Sequence, residues 1–233
     1  MNIAENVAVV RQNIARAALE AGRNPAEIRL VAASKMNDAA RVQEAIAAGV
    51  EICGENRVQE MLEKNAQGAY AGAELHFIGH LQKNKVRQVV GLAALIHSVD
   101  SLELAAEIDR IARKRGLIQD VLLEVNIGGE LSKSGFPPKE IAGALEKIPA
   151  FGGLRVRGLM AIPPICSSPE DNRPFFLRMK QLFVDNERKK YDNVFMDFLS
   201  MGMSGDDTEA VACGANLVRV GSAIFGARDY SVT

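Results

Sequence analysis

Residues 30–38 read LVAASKMND. Leu30, Val31, Ala32 and Ala33 make an apolar run of strand length, Ser34 and Lys35 end it, and Asn37 and Asp38 supply a polar turn at once. A run this continuously apolar suits a strand buried on both faces, which is the condition of a parallel sheet. Side chains alternate along a strand, so Val31, Ala33 and Lys35 share one face. If that face points inward, Lys35 is aimed out of a buried layer at the exit of the strand. Taken alone, it also reads as a surface lysine at the edge of a loop, and the surrounding sequence has to decide.

Working outward, seven further runs of strand length follow, at residues 50–53, 75–78, 94–98, 121–125, 156–160, 194–200 and 217–220, after the first at 29–34. Between them lie segments with helical periodicity, among them DAARVQEAIAAG, NKVRQVVG, SLELAAEIDRIARKRG, PKEIAGALEKI and DTEAVACGA. Several open on Asp or Ser and several close on Gly, as capped helices do. Strands that alternate with helices pair in parallel. A doubly wound sheet fits that pattern as well, but eight units in one chain favour a single closed (β/α)8 barrel spanning residues 1–233, preceded by an extra amino-terminal helix that Gly22 ends. The Pro-rich stretch AIPPICSSPEDNRP (161–174) follows the sixth strand, where a barrel places an active-site loop, so it is read as that and not as a linker.

Composition limits the function. The 233 residues are 48% hydrophobic and 24% charged, the balance of a globular protein that can bury a core. A net charge of −1 gives no basic field for nucleic acid or an anionic membrane. No apolar run approaches the ~20 residues of a membrane span. Cys53, Cys166 and Cys213 lack any C-x-x-C spacing, which argues against a disulfide framework or zinc site and for a reduced, cytoplasmic protein. Residues 1–22 carry interspersed charges and read as an amphipathic helix, not a signal peptide.

In a barrel the chemistry sits at the carboxyl ends of the strands. Several groups at that rim have ordinary readings: Gly54-Glu55-Asn56 as a turn and helix cap, His80 as a cap or core histidine, and Lys83, Lys85 and Arg87 as a solvated helix face. SMGMSGDD and RVGSAIFG, after the seventh and eighth runs, are different. Barrels commonly bind one phosphate there, and glycines let the backbone approach an anion closely. Ser200, Ser204 and Ser222 add hydroxyls, and Arg219 adds a permanent charge. A phosphate site facing a strand-one lysine suits a phosphorylated aldehyde, because the amine can condense with the carbonyl while the phosphate anchors the other end. Pyridoxal 5'-phosphate is that kind of molecule. A phosphosugar aldolase is the alternative, but the rim carboxylates Glu55, Asp100, Glu124 and Asp206 form no recognisable acid/base pair.

The motifs VAASK, CGENRVQE, LHFIGHLQKNK, HSVDS, LLEVNIGGELSKSGF, GLMAIPP, LSMGMSGD and LVRVGSAIFGAR, in this order along almost the whole chain, closely resemble the pyridoxal phosphate homeostasis protein family, whose barrel is like the amino-terminal domain of alanine racemase. The resemblance implies that Lys35 holds pyridoxal 5'-phosphate as a Schiff base. It implies that Ser200, Ser204, Gly221 and Ser222 surround the phosphate with Arg219 beside them, the pyridine nitrogen being the alternative target of the arginine. It also places Asn56, His80 and Met160 in the pocket wall. The family is associated with control of vitamin B6, so the expected function is a cytoplasmic carrier or buffer of the cofactor, a monomer or weak dimer, with pyridoxal-phosphate-dependent apoenzymes as possible recipients.

The competing expectation is a weak amino-acid racemase or related enzyme. Racemases of this barrel type take a second base, a tyrosine, from an additional carboxyl-terminal domain of a partner subunit. No such domain is expected after the eighth strand here. The tyrosines Tyr70, Tyr191 and Tyr230 end no predicted strand.

Overall fold

The first strand, β1 (Arg29–Ala33), is flanked on one side by β2 (Ile52–Glu55) and on the other by β8 (Leu217–Val220), so the sheet closes on itself. The computed structural model describes residues 2–130 and 132–226. Between β2 and β8 run β3 (Glu74–Phe77), β4 (Leu95–Val99), β5 (Gln119–Val125), β6 (Leu154–Ala161) and β7 (Val194–Met203), each parallel to its neighbours. This is a (β/α)8 barrel with an extra helix, α1 (Ile3–Glu20), ahead of the first strand. The other helices among the described residues are α2 (Ala39–Ala47), α3 (Val58–Ala66), α4 (Val86–Val89), α5 (Leu102–Lys114), α6 (Ile141–Leu145), α7 (Arg173–Glu187), α8 (Asp207–Ala212) and α9 (Ser222–Phe225). None is long and apolar enough to cross a membrane.

The helix starts follow local chemistry. The Asp38 carboxylate accepts the Arg41 N–H (2.9 Å) to start α2, and the Ser101 hydroxyl accepts the Leu104 N–H (3.3 Å) to start α5. Such caps satisfy amides that have no partner in the first turn and contribute ~1 kcal/mol each. On α1, Ile3, Val7, Val10 and Ile14 share a buried stripe that packs the helix across α8, α9 and α2. Burying side chains of this size stabilises by roughly 1.5–3 kcal/mol each.

Strand alternation sorts the core into two layers. Val31, Ala33, Ile52, Ile78, Leu95, Leu122, Met160 and Leu217 fill the barrel interior, and the intervening positions pack outward against the helices. Val31 and Ala33 are therefore inward-facing, and that direction leads to Lys35.

Most strand boundaries shift by one to three residues from those expected, and two of the shifts bear on the site. β2 extends through Gly54 and Glu55, which are not a turn: the Gly54 carbonyl accepts the Ser34 N–H (3.0 Å), and Ala33 is the register partner of Gly54. There is no room for more than hydrogen at Gly54, where a Cβ would lie 2.7 Å from Val31. β7 runs to Met203, three residues past the sequence boundary at Ser200, because its register against β8 shifts between Ser200 and Met203 and Gly202 adopts φ +90°. Ser200 is thus a strand residue below the rim, and the loop that follows begins at Ser204.

Candidate functional site

At the carboxyl end of the strands lies a cavity of about 250 Å³. Lys35 reaches it from the turn after β1, Asn56 from the residue after β2, and Arg219 from β8. Ser204, Gly205, Gly221 and Ser222 line it as well. The Ser204 hydroxyl accepts the Gly221 N–H at 3.0 Å and the Ala223 N–H at 3.5 Å, which ties the loop after β7 to the loop after β8. Gly221 sits over Ala33, and a Cβ there would come within 3.2 Å of the Ala33 carbonyl. The bare backbone lets the two loops close on the end of β1. Hydroxyls, a glycine backbone and one guanidinium thus share one cavity with an amine.

Arg219 is 4% exposed, yet its charge is provided for. One N–H donates to the Ser200 hydroxyl (2.6 Å) and another to the Ala161 carbonyl (3.0 Å). Burial pulls its pKa down to about 10, and the nearby carboxylates Glu124 and Asp206 oppose that, so it remains a cation at neutral pH. Glu124 is pushed up to about 7, first by burial, then by the like charge of Asp100, with Arg219 working the other way.

Behind Ser200 a hydrogen-bonded column runs down the barrel interior. The Ser200 hydroxyl meets His97 Nδ1 at 3.0 Å, His97 Nε2 meets His76 Nδ1 at 3.0 Å, and His76 Nε2 meets a Glu74 carboxylate oxygen at 3.3 Å. Arg29 pairs with the same carboxylate at 3.0 Å, at the opposite rim. One assignment of protons satisfies every link. Arg219 donates to Ser200, Ser200 to His97, His97 to His76, and His76 to Glu74, with both imidazoles neutral. Burial lowers the pKa of both histidines, and for His97 the charges of His76 and Arg219 add to the effect. His97 is therefore expected to stay neutral at pH 6, where an ordinary histidine is mostly protonated. Nitrogen-15 NMR of histidine-labelled protein checks this: an imidazolium signature for His97 at that pH means the column is not organised as described.

The structure brings Lys35, Asn56, Ser204, Arg219, Gly221 and Ser222 around one cavity. Ser200 does not line it and lies one layer deeper as the anchor of Arg219, while Met160 is buried in the apolar interior. His80 stands on the rim with its side chain 58% exposed, near Asp100 (3.4 Å) and Ser134 (3.3 Å), outside the cavity lining. Sequence reasoning missed His76 and His97 as a pair and Glu55 as a buried group. A signal for the histidines was present: each stands two residues from an inward position, Ile78 or Leu95, and so shares its face. For Glu55 the signal was hidden by the strand boundary.

Pyridoxal 5'-phosphate can be tested against these residues. Asn56 Oδ1 is buried in the cavity wall with no hydrogen-bond partner, an uncompensated acceptor that a ligand hydroxyl would satisfy. A side chain at Gly221 would crowd the closure of the two loops. The donor set of arginine and serine hydroxyls suits an anion, and the amine suits a carbonyl. The residues fit the cofactor. Among the described residues no cluster of His, Cys, Asp and Glu could hold a metal ion, and the three cysteines are unpaired.

The profile of the family described as "Alanine racemase, N-terminal domain" matches residues 6–229. A Pseudomonas aeruginosa protein named pyridoxal phosphate homeostasis protein is 43% identical over 229 residues, which span 98% of this chain and 96% of its own. Its namesake in Aquifex aeolicus is 41% identical over 230 residues, or 99% of this chain and 100% of that one. The structure of PipY from Synechococcus elongatus with pyridoxal phosphate bound superposes with a TM-score of 0.84 at 34% identity, covering 97% of this chain and 100% of PipY. With this likeness extending end to end along the barrel described above, the chain belongs to the pyridoxal phosphate homeostasis protein family, built on the alanine racemase amino-terminal barrel.

Proposed function

We propose that this chain binds pyridoxal 5'-phosphate in the cavity at the barrel mouth, joined as a Schiff base to Lys35, and that it carries or buffers the cofactor in vitamin B6 homeostasis in the cytoplasm. The observation that carries the reading is one cavity lined by Lys35 together with Arg219, Ser204, Gly221 and Ser222. PipY, alike over nearly the full length, supports it by being a pyridoxal phosphate complex. When bound, the cofactor supplies an aldehyde and an electron-withdrawing ring. The residues of this chain position and retain it. Lys35 holds the aldehyde end, Arg219 meets either the phosphate or the pyridine nitrogen, and the Asn56 amide gains the partner it lacks. The recipients that fit such a carrier are apoenzymes that depend on the cofactor. The test is the absorption spectrum of the purified protein before and after borohydride, followed by peptide mapping. Reduction is expected to fix the cofactor on the Lys35 peptide, and attachment to Lys83 or Lys133 in the native protein would end the assignment.

An efficient racemase is the less favoured reading. Two-base racemisation needs a second acid/base on the substrate face opposite the lysine. Among the described residues no tyrosine lines the cavity: the Tyr70 hydroxyl donates to Glu55 (3.1 Å) and that of Tyr191 to Glu146 (3.2 Å), and Tyr230 lies outside the described residues. Glu124, whose carboxyl is pushed up to about 7 by burial first, is not in the lining either. An arginine at the pyridine nitrogen would also keep that nitrogen unprotonated and the ring a weaker electron sink. Incubating the loaded protein with L-alanine and other L-amino acids and resolving the enantiomers is expected to show turnover far below the ~10 per second of a typical enzyme. Turnover near that rate would favour the enzyme.

A further inference from the structure

Lys64, on α3, is 5% exposed and does not line the cavity at the barrel mouth, yet its ammonium is fully engaged. It donates at 2.7 Å to the Ser34 carbonyl, at 2.7 Å to Glu55 Oε1 and at 2.7 Å to Glu60 Oε1. Glu60 Oε1 in turn accepts the N–H of Met36. From one ammonium, bonds therefore reach the backbone on both sides of Lys35. The Ser34 hydroxyl completes the clamp by donating to the same Glu55 oxygen at 2.6 Å, and Asn37 donates to the Lys35 carbonyl at 3.0 Å.

The clamp holds a conformation the chain would not choose. Met36 has φ +61°, the left-handed region that a non-glycine side chain adopts only when its surroundings over-determine it. A buried ion pair is also a poor way to add stability, because desolvation consumes much of the Coulombic gain and an apolar replacement is often as stable. Burial raises the pKa of Glu55, the bonds from Lys64 and Ser34 oppose that, and its second oxygen is buried with no partner. What the cluster does supply is direction: β1 ends against it, and the strained residue that follows turns the chain so that Lys35 leaves toward the cavity.

We propose that Lys64 and Glu60 are positioning residues for Lys35, fixing the turn from which its amine reaches the cofactor aldehyde. The proposal rests on the reading of Lys35 as the cofactor lysine. It predicts a split between two ligands. Pyridoxine 5'-phosphate lacks the aldehyde and reports only the anchoring of ring and phosphate, whereas pyridoxal 5'-phosphate also reports delivery of the amine.

Lys64→Met keeps the length and apolar stem of the side chain and removes the ammonium. It is expected to bind pyridoxine 5'-phosphate with the affinity of the parent protein and to form the Schiff base roughly tenfold or more slowly, since a small misplacement of a reacting group has a cost of that order. Lys64→Arg, which keeps the charge and donors, should recover part of the rate. If Lys64→Met does not fold, Glu60→Ala releases the Met36 N–H from a side chain that is 19% exposed and is expected to show the same split. Schiff-base formation at the parental rate in the folded variant overturns the proposal. A parallel loss of both ligands together with a lowered Tm also overturns it, because that is the pattern of a merely structural ion pair. Borohydride labelling away from Lys35 in the unaltered protein would instead remove the reading on which the proposal stands.

Discussion

Lys35→Ala is expected to abolish the yellow absorption band of the loaded protein and to leave the cofactor removable by dialysis. Among the described lining residues the Lys35 amine is the group that can form a covalent link to the aldehyde, and the turn after β1 brings it to the cavity that the anion-binding groups also line. Holding amine and carbonyl together in one cavity makes condensation effectively intramolecular, which is worth many orders of magnitude over a free lysine at ordinary concentration. The loss should therefore be nearly complete, with residual binding through the phosphate end alone. Lys35→Arg keeps a cation of similar reach but has no condensing amine, so it separates charge from covalency and should be equally colourless. A persistent band in both variants that borohydride fixes to the protein would place the link on another lysine.

Arg219→Ala is expected to weaken binding of pyridoxal 5'-phosphate by one to two orders of magnitude. A charge-assisted hydrogen bond contributes roughly 1.5–3 kcal/mol, and each 1.4 kcal/mol is about tenfold in affinity. The guanidinium is pre-positioned by Ser200 and the Ala161 carbonyl, so little ordering cost is left to binding. Truncation also removes the donor to Ser200 at the head of the histidine column. Arg219→Lys restores charge without the two-pronged anchoring and should fall between. Comparing pyridoxal with its phosphate locates the contact. If the arginine meets the phosphate, only the phosphorylated ligand is weakened; if it meets the pyridine nitrogen, both are. Equal affinity of parent and Arg219→Ala for both ligands would remove Arg219 from the site.

Much of the site could be read before the structure because strand–helix alternation carries its own geometry. Val31, Ala33 and Lys35 follow a period of two, and the inward position of the first two determines where the third emerges. Glycines and serines after the last two strands mark where a backbone can approach an anion. Reading the rim from strand ends, however, assumes that each boundary is known. Ser200 and Ser204 were equivalent on that basis, and so were Asn56 and His80. The structure separates them: Ser204 and Asn56 line the cavity, Ser200 supports Arg219 from beneath, and His80 stands in solvent beside Asp100.

The order of apolar runs, caps and glycines in this chain was by itself enough to determine alternating parallel strands and helices with an added first helix, to favour a barrel over a doubly wound sheet, and to direct Lys35 and the loops at Ser204 and Gly221 to the same end. Depth and partnership were decided only by tertiary structure. The register shift between Ser200 and Met203 sets which serine reaches the rim, and it arises from pairing with β8, whose residues lie outside any local window. His76 and His97 meet, and Glu55 gains Ser34, Lys64 and Tyr70, only because closure of the sheet and packing of α3 on its outside bring separate segments within hydrogen-bond distance. Periodicity is a short-range property of the backbone. A buried polar group, by contrast, is stable only with a partner, and the chain closure that supplies the partner is invisible in the spacing of residues along one strand.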